Sequence, residues 1–185
     1  DTLLVGEGNL SFAKSLLRLA AAQITYMTAT TFEKESDLND EAASNARDLK
    51  RLGVLVLHSI DATQLKKNLR SYQYDTIIFQ FPNVGSREAK YGHNPNHVLI
   101  RNFLRSAADF LKPSGRVIIS AVDSPHYQGA FRLEEAAEFA NYETPETYPF
   151  DLSMFSGYSH TNTNDEESVL DDHNRFVSRV FRQKL

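Results

Sequence analysis

Several features are missing from this 185-residue sequence, and each absence excludes a class of protein. There is no cysteine, which excludes disulfide bonds and thiolate chemistry. No apolar run approaches the ~20 residues that a membrane-spanning helix needs, and no charged and then apolar leader precedes the first apolar segment. We therefore expect a soluble protein without a membrane partner. The chain begins at Asp1, almost directly on a predicted strand, so we expect a domain excised from a longer protein.

A surplus of positive charge is also missing. The net charge is −4, which argues against broad, sequence-independent binding of nucleic acid, because such binding depends on many Lys and Arg side chains at phosphates. Local basic clusters remain compatible with an RNA partner, although such clusters are usually a solvated helix face or strand edge. The clusters are Arg47, Lys50 and Arg51; Lys66, Lys67 and Arg70; and Arg175, Arg179, Arg182 and Lys184.

The order of apolar segments predicts an α/β fold. Five strands alternate with helices, which indicates right-handed crossovers and a mostly parallel sheet with helices on both faces. Two later strands without a full helix between them predict an antiparallel edge at the C-terminal end. No linker or repeat divides the chain, so we expect one domain over residues 1–185. The strands are predicted at 3–5, 23–31, 54–61, 74–82, 116–123, 148–155 and 175–183, and the helices at 10–20, 38–53, 97–115 and 133–140, with a short polar helix after 61 and a polar loop at 156–174.

Two glycines flank a glutamate directly after the first predicted strand, as Gly6-Glu7-Gly8. In a strand-to-helix turn, glycine supplies positive φ and lets a ligand approach the backbone, while the free N–H groups of the helix face that ligand. The match to a dinucleotide-binding fingerprint is partial, because Ser11 stands where that fingerprint has its third glycine. A glycine pair is also compatible with a plain turn.

Polar side chains follow the next three predicted strands, and in an open α/β sheet ligands bind at these strand ends. Glu33, 25 residues after Gly8, could bind ribose hydroxyls, and Asp61 could accept from an adenine amino group. Gln80 and Asn83 could bond the edge of a planar base. The alternatives are a solvated Glu33, an N-cap at Asp61 and a strand stop at Pro82. Together the four strand ends favour a nucleoside cofactor, and the missing glycine favours one without pyrophosphate, S-adenosylmethionine.

The chain resembles, over nearly its whole length, the Rossmann-like methyltransferase family typified by the fungal 25S ribosomal RNA uridine-N3 methyltransferase. The matching segments, in chain order, are LLVGEGNLSFAKSL, TATTFEKE, GVLVLHSIDATQL, YDTIIFQFPNVG, NHVLIRNFLRSAADFLKPSGRV and FSGYSHTNT. The resemblance implies a class I methyltransferase fold of seven strands with the last pair reversed. It also implies S-adenosylmethionine as the methyl donor, a ribosomal RNA uridine as acceptor, no metal, and an intracellular location, nucleolar or cytoplasmic if the source is eukaryotic.

The resemblance also implies residue roles. Gly6, Glu7 and Gly8, with Ser11 and Phe12 after them, would lie on the methionine side of the cofactor. Glu33 would lie near the ribose, Asp61 and Ala62 near the adenine, and the segment 79–85, with Gln80, Pro82 and Asn83, beside the target. This chain departs from the family pattern at Gln80, where Asn is usual, at Asn83, where His is usual, and at Asn9-Leu10, where Asp-Phe is usual.

Methylation of uridine N3 requires that the nitrogen lose its proton, so a base or a group that stabilises the uracil oxyanion would help. Gln80 and Asn83 cannot act as bases at neutral pH. The candidate bases are His93, His97, His160 and Asp123. Two other functions remain open, because fold does not determine the acceptor. They are a methyltransferase for a small molecule or protein, and a non-catalytic domain that only binds a partner.

Overall fold

The computed structural model describes residues 1–86, 88–160 and 175–185, and within them seven strands form one sheet. The strands are β1 Thr2–Val5, β2 Met27–Thr30, β3 Leu55–Leu57, β4 Tyr74–Gln80, β5 Leu111–Val122, β6 Glu146–Pro149 and β7 Phe176–Phe181. Their order is β3-β2-β1-β4-β5-β7-β6. The first five strands are parallel, and β7 pairs antiparallel with both β5 and β6. The predicted mostly parallel sheet with an antiparallel C-terminal edge is confirmed.

Helices cover both faces of the sheet because the central strands are apolar on both sides. Leu3 and Val5 of β1 belong to one apolar core, and Leu4 between them belongs to the other, as the alternation of side chains along a strand requires. The first core packs against α4 and α6, and the second against α1 and α2. The helices are α1 Ser11–Ala20, α2 Asp40–Arg51, α3 Leu65–Asn68, α4 Pro95–Ala108, α5 Pro125–Phe131 and α6 Leu133–Phe139.

The predicted fourth helix was too long and the fifth strand too short. The helix ends at Ala108, and the strand already begins at Leu111, which pairs with Tyr74, whereas Arg116 pairs with Thr76. The Pro-Ser-Gly turn therefore lies inside β5 as a bulge and does not close the helix. Proline lacks the N–H of a regular ladder, and a Cβ on Gly115 would lie 3.0 Å from the carbonyl oxygen of Tyr74, so the bulge requires these residue types.

Three further elements differ from the prediction. The third strand is limited to Leu55–Leu57, and the strand predicted at 148–155 lies earlier, at Glu146–Pro149, followed by a 3₁₀ turn at Leu152–Met154. Helix α5 was not predicted, although Ser124 caps it and Pro125 begins it, which is a recognisable start signal. Most of the predicted polar loop, residues 161–174, lies outside the described residues. Within the described ranges, no helix has the length and apolar character needed to cross a bilayer.

Candidate active site

A cavity of about 580 Å³ opens beyond the carboxyl ends of the parallel strands, where an open α/β sheet binds its ligands. The cavity brings together residues from four consecutive strand ends, as the sequence predicted. Of the predicted site residues, Gly6, Glu7, Gly8, Phe12, Glu33, Asp61, Ala62, Gln80, Pro82 and Asn83 line it. Ser11 does not line the cavity, and it lies buried behind the wall.

The turn after β1 has positive φ at Gly6 (63°) and at Leu10 (64°), and Gly8 is not among the positive-φ positions. A Cβ on Gly6 would lie 2.4 Å from Cε2 of Phe79, so this glycine is required both by its backbone conformation and by the space around it. Leu10 tolerates the left-handed conformation because its side chain is completely buried in the core. Gly8 is exposed and borders the cavity.

The N-terminus of α1 is capped by side chains from this turn. Oε2 of Glu7 accepts a hydrogen bond from the backbone N–H of Ala13 at 3.1 Å, and Oδ1 of Asn9 accepts from the N–H of Ser11 at 3.0 Å. In dinucleotide-binding proteins the pyrophosphate occupies this positive end of the first helix. Here the carboxyl group of the protein's own Glu7 takes that place. Burial raises the pKa of Glu7 to about 7, although the Ala13 hydrogen bond acts in the opposite direction.

The cavity wall is acidic. Its carboxyl groups belong to Glu7, Glu33, Asp37 and Asp61, and none of the described lining residues is Lys or Arg. Asp61 also caps the 3₁₀ turn Ala62–Gln64, because its Oδ1 accepts from the backbone N–H of Thr63 at 2.8 Å. The Thr63 hydroxyl and Nε2 of Gln64 also donate to this carboxylate, at 2.7 and 3.3 Å, so about one of its roughly four acceptor positions is left. This electrostatic environment suits a cationic ligand better than an anionic one.

The end of β4 brings an unsatisfied hydrogen-bond donor to the cavity. Gln80 is buried, and its Oε1 accepts from the Ser120 hydroxyl at 2.5 Å. Its Nε2 is buried and has no hydrogen-bond partner within the described part of the chain. A buried amide donor without a partner carries an energetic cost. This side of the cavity is therefore suited to a ligand that brings a carbonyl oxygen.

The two phenylalanines on either side of Gln80 lie in different environments, because β4 ends at Gln80 and Phe81 lies beyond the strand. Phe79 packs edge-on against Phe103 of α4, with ring centroids 5.0 Å apart. Phe81 has φ of 45°, which rotates its ring toward Phe150 and His160, with centroid distances of 5.6 and 5.4 Å. Both rings reach the cavity wall.

The turn after Pro82 is held by two side-chain amides. Oδ1 of Asn83 accepts from the N–H of Gly85 at 2.8 Å, and Oδ1 of Asn96 in α4 accepts from the N–H of Val84 at 2.9 Å. Pro82 is buried and Asn83 is partly exposed at the cavity wall. Asn83 therefore shapes this turn as well as lining the site.

A segment far along the chain completes the cavity. The hydroxyl of Ser11 donates to the carbonyl oxygen of Ser159, and the N–H of Ser159 donates to the Ser11 oxygen, both at 3.0 Å. Nδ2 of Asn9 donates to the Ser159 hydroxyl at 2.8 Å, and Tyr158 packs edge-on against Phe12. The sequence indicated this segment only through the family resemblance, because no local spacing connects residues 148 positions apart.

Only one of the four candidate bases lines the cavity, and it is His160, whose Nδ1 lies 3.4 Å from the Tyr158 hydroxyl. His97 is buried, with Nδ1 2.9 Å from the carbonyl oxygen of Phe131, and His93 packs against its ring. Asp123 pairs with Arg175 at 3.3 Å. In the described ranges, no group of His, Asp or Glu side chains is placed to hold a metal ion.

The predicted basic clusters differ in their surroundings. Lys66 and Lys67 line a second, more open groove of about 560 Å³ together with Arg105 of α4, and Lys66 pairs with Asp109 there at 2.8 Å. This groove adjoins the cavity through Ala62 and Thr63, which are consecutive residues lining the one and the other. In the C-terminal cluster each of three arginines forms its own ion pair: Arg175 with Asp123, Arg179 with Glu134, and Arg182 with Glu146.

The strand order, the reversed β7 and the cavity beside the β1 turn define a Rossmann-like fold of the class I methyltransferases. The structure of a 30S ribosomal A1408 methyltransferase from an uncultured bacterium is similar, with a TM-score of 0.59 and 11% sequence identity. The similarity covers 99% of this chain and 87% of that one.

Comparison of the sequence identifies the family more specifically than comparison of the fold does. The family model described as rRNA (uridine-N3-)-methyltransferase BTM5-like matches residues 3–162, and the chain belongs to this BMT5-like family. Heavy metal-associated isoprenylated plant protein 41 of Arabidopsis thaliana is 32% identical over 163 residues, which cover 84% of this chain and 32% of that protein. Human ferredoxin-fold anticodon-binding domain-containing protein 1 is 31% identical over 173 residues, covering 86% and 27%. The chain thus spans under a third of the length of these curated relatives.

Proposed function

We propose that this chain is an S-adenosylmethionine-dependent methyltransferase that methylates N3 of a uridine in ribosomal RNA. The chemistry of the cavity beside α1 is the observation that supports this cofactor. The helix N-terminus that would receive a pyrophosphate is capped by Glu7, and the described wall holds four carboxyl groups and no Lys or Arg. A donor with a positive sulfonium and no phosphate suits these residues.

The residues of the wall divide into two groups by position. Gly8 offers an exposed backbone to the methionine end, whereas Glu33 and Asp61 offer carboxylate acceptors to ribose hydroxyls and to the adenine amino group. The bound cofactor supplies an activated methyl group. The chain itself needs mainly to hold the acceptor atom in line with that methyl, because orientation contributes most to such a transfer.

Gln80 supports uridine as the acceptor. Its Nε2 is a buried donor without a partner, while Ser120 holds the Oε1 end of the same amide. In uracil, N3 lies between two carbonyl groups, so a base placed with N3 toward the methyl would bring a carbonyl oxygen to this donor. The corresponding edge of cytosine carries an amino group on one side. His160, at the same wall, is the candidate to accept the N3 proton.

RNA as the acceptor is supported by the family and by the basic groove of Lys66, Lys67 and Arg105, which adjoins the cavity. If phosphates bind there, replacing Lys67 and Arg105 by Glu should weaken RNA binding and lower its salt dependence. Arg116→Glu is the control, because Arg116 is an exposed residue in the middle of β5 and does not line the groove. Equal RNA affinity for both variants and the wild type would exclude this groove from the RNA path.

The decisive experiment measures the methylated product. Purified protein is incubated with labelled S-adenosylmethionine and either ribosomal RNA, total protein or a metabolite extract, and the RNA nucleosides are analysed by mass spectrometry. We expect 3-methyluridine with wild type, and a strong loss in Gln80→Glu, which keeps the Ser120 contact and removes the donor. Gln80→Asn, which restores the residue usual in the family, should retain product. Methyl transfer only to protein or metabolites would instead support the alternative acceptors, and cofactor binding without transfer would support a non-catalytic domain.

A further inference from the structure

Glu7 is an unusual residue for the wall of a cofactor cavity. The residue has a relative exposure of only 5%, although its side chain carries a carboxyl group. Its one hydrogen bond in the described structure comes from the N–H of Ala13. It makes no salt bridge within the described residues, whereas buried carboxylates are ordinarily paired with a cation. The capping contact explains where the carboxyl group lies, but it does not neutralise its charge.

The groups that face Glu7 provide no positive charge that would balance the charge of its carboxylate. Lys14 of α1 directs its amine to Asp48 at 2.9 Å and to Asn45 at 3.1 Å. Tyr158 packs over the same turn, and burial, with the charge of Glu7 as the smaller cause, raises the pKa of its hydroxyl. The other described titratable or amide groups around the cavity are Asn9, Glu33, Asp37, Asn39, Glu41, Asp61, Gln80, Asn83 and His160, and of these only His160 can become positive.

The proposed cofactor would bring the missing charge. S-adenosylmethionine carries a positive sulfonium, and its product S-adenosylhomocysteine does not. When the methyl group leaves, the sulfur keeps the electron pair of the broken bond and becomes a neutral thioether. The acceptor nitrogen forms the new bond with its own electron pair and gives up its proton. Cofactor and product are otherwise alike, so a nearby group that responds to charge could distinguish them.

Resting on the proposed function, we propose that Glu7 is ionised when the cationic cofactor fills the cavity, and that it keeps the mixture of acid and carboxylate of the ligand-free protein when the neutral product fills it. In a partly desolvated cavity a positive ligand strongly favours the carboxylate, whereas a neutral ligand leaves the balance between acid and carboxylate as burial sets it. In the protein without ligand, burial raises the pKa of Glu7 to about 7, so both forms are populated near neutrality. Cofactor binding then releases a proton, and product binding does not.

The inference predicts how affinity depends on pH. If the cofactor binds the ionised form, its affinity should increase about 10-fold between pH 6 and pH 8, following the ionised fraction of a group with a pKa of about 7. The affinity for S-adenosylhomocysteine should change by less than about 2-fold over the same range. The enzyme would thereby prefer its substrate over its product more strongly as pH rises.

The test is calorimetric titration of the whole chain with each ligand at pH 6, 7 and 8, in buffers that differ in their enthalpy of ionisation. We expect release of about half a proton at pH 7 for S-adenosylmethionine and none for S-adenosylhomocysteine. Glu7→Gln keeps the size of the side chain and an oxygen for the Ala13 N–H, and it should abolish this release. Glu41→Gln is the matched control, because it removes an exposed carboxyl that lies beside the cavity and does not line it, and it should keep the release.

Several results would overturn the inference. Equal proton release with both ligands would overturn it. This result needs only the wild type, so it can be obtained even if Glu7→Gln fails to fold. An unchanged pH profile in folded Glu7→Gln would assign the effect to another group, such as His160. Failure of both ligands to bind the wild type would instead refute the proposed cofactor, and with it the inference, whereas binding of both without proton release refutes only the inference.

Discussion

Ser11 and Ser159 hold each other through two hydrogen bonds of 3.0 Å, although 148 positions separate them in the chain. One bond joins the Ser11 hydroxyl to the carbonyl oxygen of Ser159, and the other joins the N–H of Ser159 to the same hydroxyl. The pair attaches the segment that carries Tyr158 and His160 to the turn that carries Glu7. The cavity therefore depends on a contact that lies behind its wall.

Ser11→Ala should destabilise the protein by about 1–3 kcal/mol, because the N–H and carbonyl groups of Ser159 lose their partner in a partly buried position. It should also weaken cofactor binding, since Tyr158 and His160 lose their anchor. Urea unfolding and calorimetric titration measure the two effects. Ser156→Ala, an exposed serine in the same segment, should change neither. Wild-type affinity in a destabilised Ser11→Ala protein would show that the pair serves stability alone.

Gly6→Ala should be more destabilising than Gly53→Ala by about 1–3 kcal/mol. Both glycines have positive φ, so both substitutions strain the backbone. Nothing lies within 4 Å of a Cβ on Gly53, whereas a Cβ on Gly6 would lie 2.4 Å from Phe79. The difference between the two free energies of unfolding isolates the clash with Phe79. Equal values would show that the Phe79 ring moves aside without cost.

Gly8→Val should abolish cofactor binding and leave the fold largely intact, since Gly8 is exposed and borders the cavity. The branched side chain would occupy the ligand's approach to the backbone. Calorimetric titration with S-adenosylmethionine measures binding, and circular dichroism checks the fold. Gly129→Val, in α5 with open space around its Cβ position, serves as the control. If the folded fraction of Gly8→Val binds as the wild type does, Gly8 serves only the turn.

The stability of the ligand-free protein should decrease as pH rises from about 4.5 to about 8 because of Glu7. Its pKa in the folded state, about 7, exceeds the unfolded value of 4.5, so the folded state binds more protons in this range. The contribution is complete below pH 4.5 and is lost as pH rises through 7, amounting to about 3 kcal/mol.

Urea unfolding at several pH values, compared between wild type and Glu7→Gln, measures this contribution. Burial lowers the pKa of His58, which has the opposite effect on the slope, but His58 is present in both proteins and cancels in the difference. Glu138→Gln, an exposed carboxyl of α6, should leave the wild-type slope in place. Parallel curves for wild type and Glu7→Gln would contradict a raised pKa at Glu7.

Asn83→Ala should reduce methyl incorporation at least ~10-fold, which corresponds to about 1.4 kcal/mol lost in the transition state, and leave cofactor affinity nearly unchanged. Asn83 also accepts from the N–H of Gly85, so the loss could come from the turn. Asn83→Asp keeps that acceptor and removes the amide donor. A comparable loss in Asn83→Asp assigns the amide to the acceptor site, and full activity in Asn83→Asp limits Asn83 to shaping the turn.

Much of the site was predictable because it follows from local order along the chain. The run Leu3-Leu4-Val5 is apolar at every position, as in a strand that is buried on both faces. Once five such strands alternate with helices, their carboxyl ends must meet at one edge. Glu33, Asp61 and Gln80 were therefore predicted to converge without knowledge of any contact, and they line one cavity.

The sequence by itself determined the strands, their parallel arrangement and the polar residues at their ends, because burial and periodicity are properties of neighbouring residues. Only the tertiary structure decided that Leu10 and Phe81 adopt positive φ, since packed side chains far along the chain compensate that strain. It alone decided that Glu7 caps α1 and that Ser159 joins Ser11. Ser159 joins Ser11 across 148 positions, which no local pattern contains, whereas Glu7 caps a helix only six positions away, where the burial of the whole turn decides the conformation.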